Sequence, residues 1–165
     1  MAYPTSTRHK DGLTGLCQQM HQLLKLVQRV RNHFETDLPI EHHLTSLPTI
    51  HHRPQDLERV EEHSTLSQLS SGLHSFKLHY DWLVYWQDEL GLELNIEELI
   101  RKIQYVSILV QKQTNESTPQ TTLPPLPSPT SAWDLYKTSA VIRKKLQHFC
   151  DWYVRALRFL RHRRQ

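Results

Sequence analysis

The chain has 165 residues and a formal net charge of +3, from 20 Lys and Arg against 17 Asp and Glu. This length predicts one domain over residues 1–165, and the charge is too mild for a protein that binds nucleic acid in bulk. Only four glycines are present, which argues against a turn-rich all-β domain and a glycine-lined phosphate loop, and no apolar run approaches the ~20 residues that span a membrane.

The first eleven residues are polar, with no apolar stretch after their basic residues, so they do not have the pattern of a signal peptide. Two expectations follow: either the protein is cytosolic, or the chain is a mature secreted form with an added Met1. Cys17 and Cys150 have neither a metal-binding spacing nor a CxxC pattern. We favour free thiols over a bridge between them.

Four segments repeat apolar residues at the period of an α-helix, and no segment of similar length alternates as a strand does. The predicted helices cover about residues 13–34, 65–90, 94–111 and 132–162. Each has one apolar stripe that must be buried against the other helices. The stripes include Leu16, Met20, Leu23, Val27, Val30 and Phe34 in the first helix, Leu66, Leu69, Leu73, Phe76, Tyr80 and Leu83 in the second, Leu99, Ile103, Val106 and Val110 in the third, and Leu135, Ile142, Leu146, Phe149, Tyr153, Leu157 and Leu160 in the fourth.

The lengths of the connections predict the topology. Only a few residues around Gly91 separate the second and third helices, whereas the links over residues 35–64 and 112–130 are long and contain prolines. A long link can cross the whole bundle, so the helices that it joins can point the same way. We therefore predict an all-α four-helix bundle with the up-up-down-down topology of long-chain cytokines. An up-and-down bundle with long loops is the alternative.

The first long link contains a predicted short helix of its own. Pro54 suits a first helical position, and Leu57 and Val60 follow on one face. This pattern does not continue in phase into the second long helix, so we predict a break near Ser64.

The motifs of common enzymes are not found in the sequence. It contains no HExxH, GxSxG, P-loop or dinucleotide-binding fingerprint, so we predict no enzyme activity and no cofactor. The adjacent pairs His42-His43 and His51-His52 have no carboxylate or cysteine at ligand spacing. We interpret them as solvated loop histidines, and we predict no metal site.

Basic residues concentrate in the last helix. Residues 131–165 contain nine Lys or Arg and two Asp or Glu, whereas the remainder of the chain is net acidic. Asp151, Arg155, Arg158 and His162 follow a 4-3-4 spacing that places them on one stripe. Such a stripe is typical of a solvated surface near a helix C-terminus, but arginine in an interface is also a frequent hot spot.

Trp133 is predicted to point away from the core. Ser131 and Asp134 have the spacing of a capping box, and two residues separate Trp133 from Leu135, a rotation of about 200° around the helix. The indole either packs under the second long link or anchors a contact with a partner. We expect Trp82, Trp86 and Trp152 to pack within the protein.

At these positions the sequence resembles the interleukin-11 family, within the interleukin-6 group of cytokines. Three segments are similar to segments of that family: the proline-rich run from Pro124 to Trp133, the run from Asp151 to Leu157, and Leu44-Thr-Ser-Leu-Pro-Thr49. They follow the same order along the chain as in the family. Both cysteines and the histidine-rich first link depart from the family pattern, which indicates a divergent relative or another interleukin-6-type member.

The resemblance implies a secreted ligand with three receptor-binding surfaces. Asp151, Arg155 and Arg158 would bind a specific alpha receptor, together with the first link. The outer faces of the first and third helices would bind the shared signalling receptor glycoprotein 130. The end of the bundle that carries Trp133, here called the tip, would bind a second copy of this receptor. Bringing the two copies together would activate Janus kinase and STAT signalling. The candidates are Gln18, Gln22, Lys25, Arg29, Arg101 and Tyr105 for the helix faces, and Trp133, Leu47 and Pro48 for the tip.

Other interpretations of the same pattern are an intracellular four-helix adaptor with a basic last helix and, less favoured, a basic nucleic-acid binder. The free ligand is expected to be a monomer that does not insert into membranes. Asn115-Glu116-Ser117 forms a sequon, so Asn115 is a candidate glycosylation site if the chain is secreted.

Overall fold

The computed structural model of the protein contains four long α-helices: α1 (Thr5–Arg29), α2 (Glu62–Leu90), α3 (Glu97–Thr114) and α4 (Ala132–Arg163). A 3-10 helix (Pro54–Arg59) precedes α2. The structure describes residues 5–30, 46–48, 50, 52–115 and 122–163, with only the backbone for residues 5–11. No strand occurs within these ranges.

The helix α1 runs antiparallel to α4. Near the middle of α1, the Cys17 thiol lies 3.9 Å from the carbonyl oxygen of Val154. Near the end of α1, the Arg143 guanidinium donates to the carbonyl of Val27 at 3.4 Å. Residue numbers therefore rise along one helix as they fall along the other.

The helices α1 and α3 are also antiparallel. Between α1 and α3, Gly12 lies beside Gln113, while Lys102 donates to Gln22 at 2.8 Å. The helix α2 contacts α3 and α4, and α1 also contacts both, which leaves α1 and α2 on one diagonal of the bundle. Gly72 of α2 lies beside Phe149 of α4, and Tyr80 lines a pocket with Arg143, so α2 also runs antiparallel to α4. Because α1 and α2 are both antiparallel to α4, they are parallel to each other. The helices α3 and α4 are likewise parallel, because both are antiparallel to α1. The predicted up-up-down-down bundle is confirmed.

The four helices share one core of buried apolar side chains. The helices α2 and α4 approach closely at Gly72, where a Cβ atom would collide with the ring of Phe149. The same ring packs against Phe76 with centroids 5.2 Å apart and against Tyr153 at 4.6 Å. Burying each large side chain of this kind contributes about 1.5–3 kcal/mol, so the shared core holds the helices in this arrangement.

The bounds of α2 and α3 are set by backbone geometry that apolar periodicity does not report. Gly91 ends α2 in the left-handed region, with φ of 62°. Asn95 also has a positive φ, of 56°, so the helical path is broken there and α3 begins at Glu97. The predicted start of the third helix near residue 94 was therefore too early by one turn.

The helix α1 begins at Thr5, earlier than predicted. The prediction missed its first two turns because they are polar and have no apolar stripe. Its described part ends at Arg29, and Val30 forms a turn with its amide bonded to the carbonyl of Leu26 at 3.1 Å. Phe34, at the predicted end, lies outside the described residues. No described helix is both long and apolar enough to cross a bilayer.

The short helix in the first link is a 3-10 helix, with Pro54 at its first turn. Its Asp56 carboxylate accepts a hydrogen bond from the amide of Arg53 at 2.7 Å, which caps the start. Val60 and Glu61 are extended, so the break falls there and not near Ser64 as predicted. The next turn, from Glu62, already belongs to α2.

Leu47 is a core residue, contrary to its prediction as part of the tip. It is 3% exposed and lines a cavity with Gly72 and Phe149 in the seam between α2 and α4. Trp133 lies sixteen residues before Phe149, about 24 Å away along α4. Pro48 lines the same cavity and is half-buried. The first link thus packs on the side of the bundle at Leu47. Burying this apolar side chain lowers the free energy of the fold, whereas leaving it exposed at the end of the bundle would not.

Candidate binding surfaces

The C-terminal part of α4 exposes a short row of charged side chains. Arg155 and Asp151 form an ion pair at 3.3 Å, four residues apart on one face of the helix. Arg158 and His162 continue the same exposed stripe. An exposed pair of this kind adds only a few tenths of a kcal/mol to stability, so the row is available to a partner at little cost to the fold.

The 3-10 helix is attached to this end of α4. The Arg163 guanidinium donates one hydrogen bond to the carbonyl of Val60 at 2.7 Å and a second to that of Glu58 at 2.8 Å. It also lies 4.9 Å from the ring of Phe159. Charge-assisted hydrogen bonds to two carbonyls fix both the position and the orientation of the segment.

A second contact holds the preceding residues of the first link. The imidazole of His52 stacks on the indole of Trp152, with centroids 4.6 Å apart and planes 17° apart. Trp152 is 8% exposed, so the predicted packing of this tryptophan is confirmed. The first link and the end of α4 therefore form one continuous surface, which sequence periodicity in α4 alone does not reveal.

The outer faces of α1 and α3 form a second exposed surface. The six predicted residues are all exposed: Gln18, Gln22, Lys25, Arg29, Arg101 and Tyr105. The first four have a 4-3-4 spacing on α1, and the last two are four residues apart on α3. The structure thus places the two predicted groups on adjacent helices, because α1 and α3 pack against each other.

Lys102 joins the two halves of this surface, although sequence analysis did not single it out. Its ammonium donates to the side-chain amide oxygens of Gln19 and Gln22 and lies 5.4 Å from the ring of Tyr105. An open cleft of about 670 Å³ lies beside it, lined also by Glu98. No pattern within α3 could have identified Lys102, because its role depends on which helix lies opposite.

Ile108 was also missed, and a signal for it was present. It lies three residues after Tyr105 on the same outer stripe of α3 and is 50% exposed. A large aliphatic residue on a polar stripe is out of phase with the buried positions of its helix. It extends the α1 and α3 surface with an apolar contact.

Trp133 lies at the opposite end of α4 from the charged row. Its side chain is 52% exposed and stacks on Tyr136, with ring centroids 6.2 Å apart and planes 7° apart. The Ser131 hydroxyl accepts a hydrogen bond from the amide of Asp134 at 3.1 Å, as the predicted cap requires. The prediction that the indole faces away from the core is confirmed.

Trp82 and Trp86 pack partly against the core, as predicted. Their rings lie 6.4 Å apart, and Trp86 also meets the edge of Tyr85 at 5.3 Å. This aromatic group stabilises the outer side of α2.

The buried titratable groups do not have the properties of reactive sites. Burial, with a further contribution from the negative charge of Asp151, raises the pKa of the Cys150 thiol far above its ordinary value. Burial raises the pKa of Tyr153 to about 12. Cys17 and Cys150 are both buried and unbridged. A thiol that stays protonated is a poor nucleophile, so Cys150 packs as a small apolar residue.

His79 connects the first link to α2. It is completely buried, and its Nδ1 donates to the carbonyl of Ser75 at 2.7 Å, because a carbonyl can only accept. Its Nε2 therefore accepts from the hydroxyl of Ser46, also at 2.7 Å. Burial, and to a smaller extent the positive charge of Lys145, lowers the pKa of His79. The histidine is thus a neutral structural residue.

Two other predicted features are only partly within the described residues. His42, His43 and His51 lie outside them; across the described ranges, no group of three His, Cys, Asp or Glu side chains is arranged to hold a metal ion. Asn115 is exposed and ends α3 with a φ of 56°. The other two residues of its sequon are not described.

The comparison with protein families agrees with this arrangement. The family model described as Interleukin 11 matches residues 4–164, nearly the whole chain. No individual curated protein matches at a significant level. A match of this extent, on a bundle with the topology of long-chain cytokines, establishes the family. The chain belongs to the interleukin-11 family of secreted, non-enzymatic cytokines of the interleukin-6 type.

Proposed function

We propose that this chain is a secreted ligand that binds a specific alpha receptor and glycoprotein 130 and assembles them to activate Janus kinase and STAT signalling. Residues 1–165 would act as one cytokine domain. The observation that carries this proposal is the separation of exposed surfaces on one rigid helix. Trp133 and Arg155 lie about 33 Å apart along α4, at 1.5 Å per residue, which leaves room for two different partners.

The three surfaces have different chemistry. The end of α4 with the attached 3-10 helix offers Asp151, Arg155 and Arg158 for the alpha receptor. The α1 and α3 surface offers amides, cations and Tyr105 to the first copy of glycoprotein 130. The tip offers a large apolar indole, Trp133, to the second copy, because a desolvated tryptophan is among the strongest interface anchors.

Leu47 is not part of this proposal, because it is buried. Pro48 is also removed from the tip, since it lies with Leu47 beside Phe149. The residue that lies beside Trp133 at the tip is instead Tyr136, on which the indole stacks. The tip surface is therefore defined by α4.

The proposal is tested with purified ectodomains of the alpha receptor and glycoprotein 130. We expect the chain to bind the alpha receptor alone, to recruit glycoprotein 130 into the complex, and to activate a STAT reporter in cells that express both. Binding to neither ectodomain would contradict the proposal. Retention of the full-length product inside producing cells would favour the intracellular adaptor instead.

Secretion would also expose Asn115 to glycosylation. We expect material secreted by eukaryotic cells to lose mass after treatment with a glycosidase that removes N-linked glycans, and Asn115→Gln to abolish that change. An unchanged mass in the parent chain would show that the sequon is not used.

A further inference from the structure

The outward face of α4 carries a row of basic side chains that is longer than the proposed alpha-receptor surface. The residues recur at intervals of three, four or seven, so they lie on one stripe opposite the buried face. We call this row the α4 outer stripe. It consists of Lys137, Lys144, His148, Arg155, Arg158 and His162, with Asp151 as its acidic member.

The stripe is accessible along its length. His148, Arg155, Arg158 and His162 are exposed, and the two lysines are half-buried. Lysine commonly packs its methylene groups on a surface while its ammonium stays in water. Asp151 is paired with Arg155, and the stripe keeps a positive formal charge because Lys137, Lys144 and Arg158 are in excess of this pair. Its length from Lys137 to His162 is ~37 Å.

The rest of the molecule does not cancel this potential. Neighbouring α1 carries no acidic residue from Gly12 to Val30. The segment attached to the end of α4 carries Asp56, Glu58 and Glu61 beside Arg53 and Arg59, a formal balance of −1 that cancels little of the charge of the stripe. Most other acidic side chains of the described residues lie on α2 and α3. These two helices carry Glu62, Asp81, Asp88, Glu89, Glu97 and Glu98 against Lys77, Arg101, Lys102 and Lys112. The bundle is therefore electrostatically two-sided, although the net charge of the chain is small.

We propose that the α4 outer stripe binds a linear sulfated polysaccharide of the glycosaminoglycan class. A straight row of cations matches a chain of regularly spaced sulfates, and basic clusters on proteins commonly bind heparin-like polymers. This inference rests on the secretion proposed above, which places the ligand where such polysaccharides occur. It needs no receptor, and its test uses none.

The side chains between the cations disfavour other polyanions. Binding of single-stranded nucleic acid depends on a series of large aromatic side chains on which bases stack, and the stripe contains no Phe, Tyr or Trp between Lys137 and His162. Trp133, one turn before Lys137, is a single such ring. Binding to an anionic membrane depends on exposed apolar residues that enter the interface, and the apolar side chains beside the stripe between Lys137 and His162, Val141 and Phe159, are half-buried. The α4 outer stripe therefore fits a linear polyanion that binds through the charges along its length.

The test measures binding of the purified chain to heparin as a function of salt and of fragment length. We expect binding at 0.15 M salt, with affinity that increases with fragment length up to about 37 Å and then levels off. The variant Lys137→Gln/Lys144→Gln should bind about tenfold more weakly and reduce the slope of log affinity against log salt by about two.

The matched control is Lys77→Gln/Lys112→Gln, which removes the same charge from α2 and α3. We expect its heparin affinity to stay within about twofold of the parent. Equal weakening by both double variants would overturn the proposal, because net charge alone would then explain binding. Equal affinity for fully desulfated heparin, or tighter binding to poly-uridine RNA or phosphatidylserine vesicles, would also overturn it. Far-ultraviolet circular dichroism checks that both variants are folded.

Discussion

The two ends of α4 each carry a tryptophan, and the bundle treats them in opposite ways. Trp152 is 8% exposed and lies under the first link, where His52 stacks on it. Trp133 is 52% exposed and contacts Tyr136 of its own helix. The same residue type is therefore structural at one end and available to a partner at the other. The difference depends on which loop crosses each end.

The largest expected effect is on the free energy of unfolding. Trp152→Ala removes a large buried side chain and the support of the first link, so we expect a loss of about 3–5 kcal/mol. Trp133→Ala removes a side chain that is half in water, and we expect a change of about 0.5 kcal/mol or less. Chemical denaturation of both variants measures the difference. Equal losses would show that Trp133 is also a structural residue.

The second prediction concerns partners. Arg155→Ala should weaken alpha-receptor binding by about 2 kcal/mol, the effect of truncating a hot-spot arginine at the centre of an interface. Trp133→Ala should leave alpha-receptor binding unchanged and abolish STAT activation, because recruitment of the second glycoprotein 130 is lost. Surface binding assays beside a STAT reporter separate the two effects. Loss of both readouts in Trp133→Ala would contradict the division of surfaces.

The third prediction sharpens the role of the first link at the C-terminal end. Arg163→Ala removes two charge-assisted hydrogen bonds to Val60 and Glu58, so it should release the 3-10 helix and weaken alpha-receptor binding by about 1–2 kcal/mol. Hydrogen exchange of residues 54–61 reports the release directly. Arg161→Ala, two residues earlier, is the matched control and should leave exchange in this segment unchanged.

The smallest predicted effect concerns pH. Because the pKa of His79 is lowered in the folded protein, the folded state binds fewer protons than the unfolded state as pH falls below the ordinary value of 6.5. The stability contributed by neutral His79 is therefore full above pH 6.5 and is lost as pH falls through the folded pKa. Melting temperatures between pH 7.5 and 5 measure the loss.

The control for the pH prediction is His148→Gln, which changes an exposed histidine on α4. We expect it to keep the pH dependence of the parent chain. His79→Gln should reduce that dependence, because the buried titratable group is gone. A parent chain equally stable at both pH values would show that protonation of His79 does not destabilise the fold.

Much of the fold could be predicted from the sequence because each helix buries one stripe, and such stripes recur at a fixed period. The core positions from Leu16 to Val27 and from Leu135 to Leu160 follow directly from it. The ends of the helices were harder to predict from the sequence. The start of α3 depends on the positive φ of Asn95, and the start of α2 depends on two extended residues after the 3-10 helix. Neither leaves an apolar signature.

The candidate site was predictable only where its residues lie on one helix. The exposure of Trp133 and the pairing of Asp151 with Arg155 follow from spacing along α4. Lys102 could not be found in this way, because its contacts are with glutamines on α1. Leu47 was misplaced for a related reason, since a residue in a link has no periodicity from which its burial can be inferred.

The amino-acid sequence by itself determined the four amphipathic helices, the order of long and short links, and the family. The helices and links are local or additive properties, set by hydrophobic period and chain length, whereas the family follows from sequence motifs and the match to the family model. The tertiary structure decided how the first link packs on α2 and α4, which tryptophan it covers, and how Arg163 attaches the 3-10 helix. Those outcomes depend on contacts between residues far apart in the chain, whose free energies exist only once the bundle has formed.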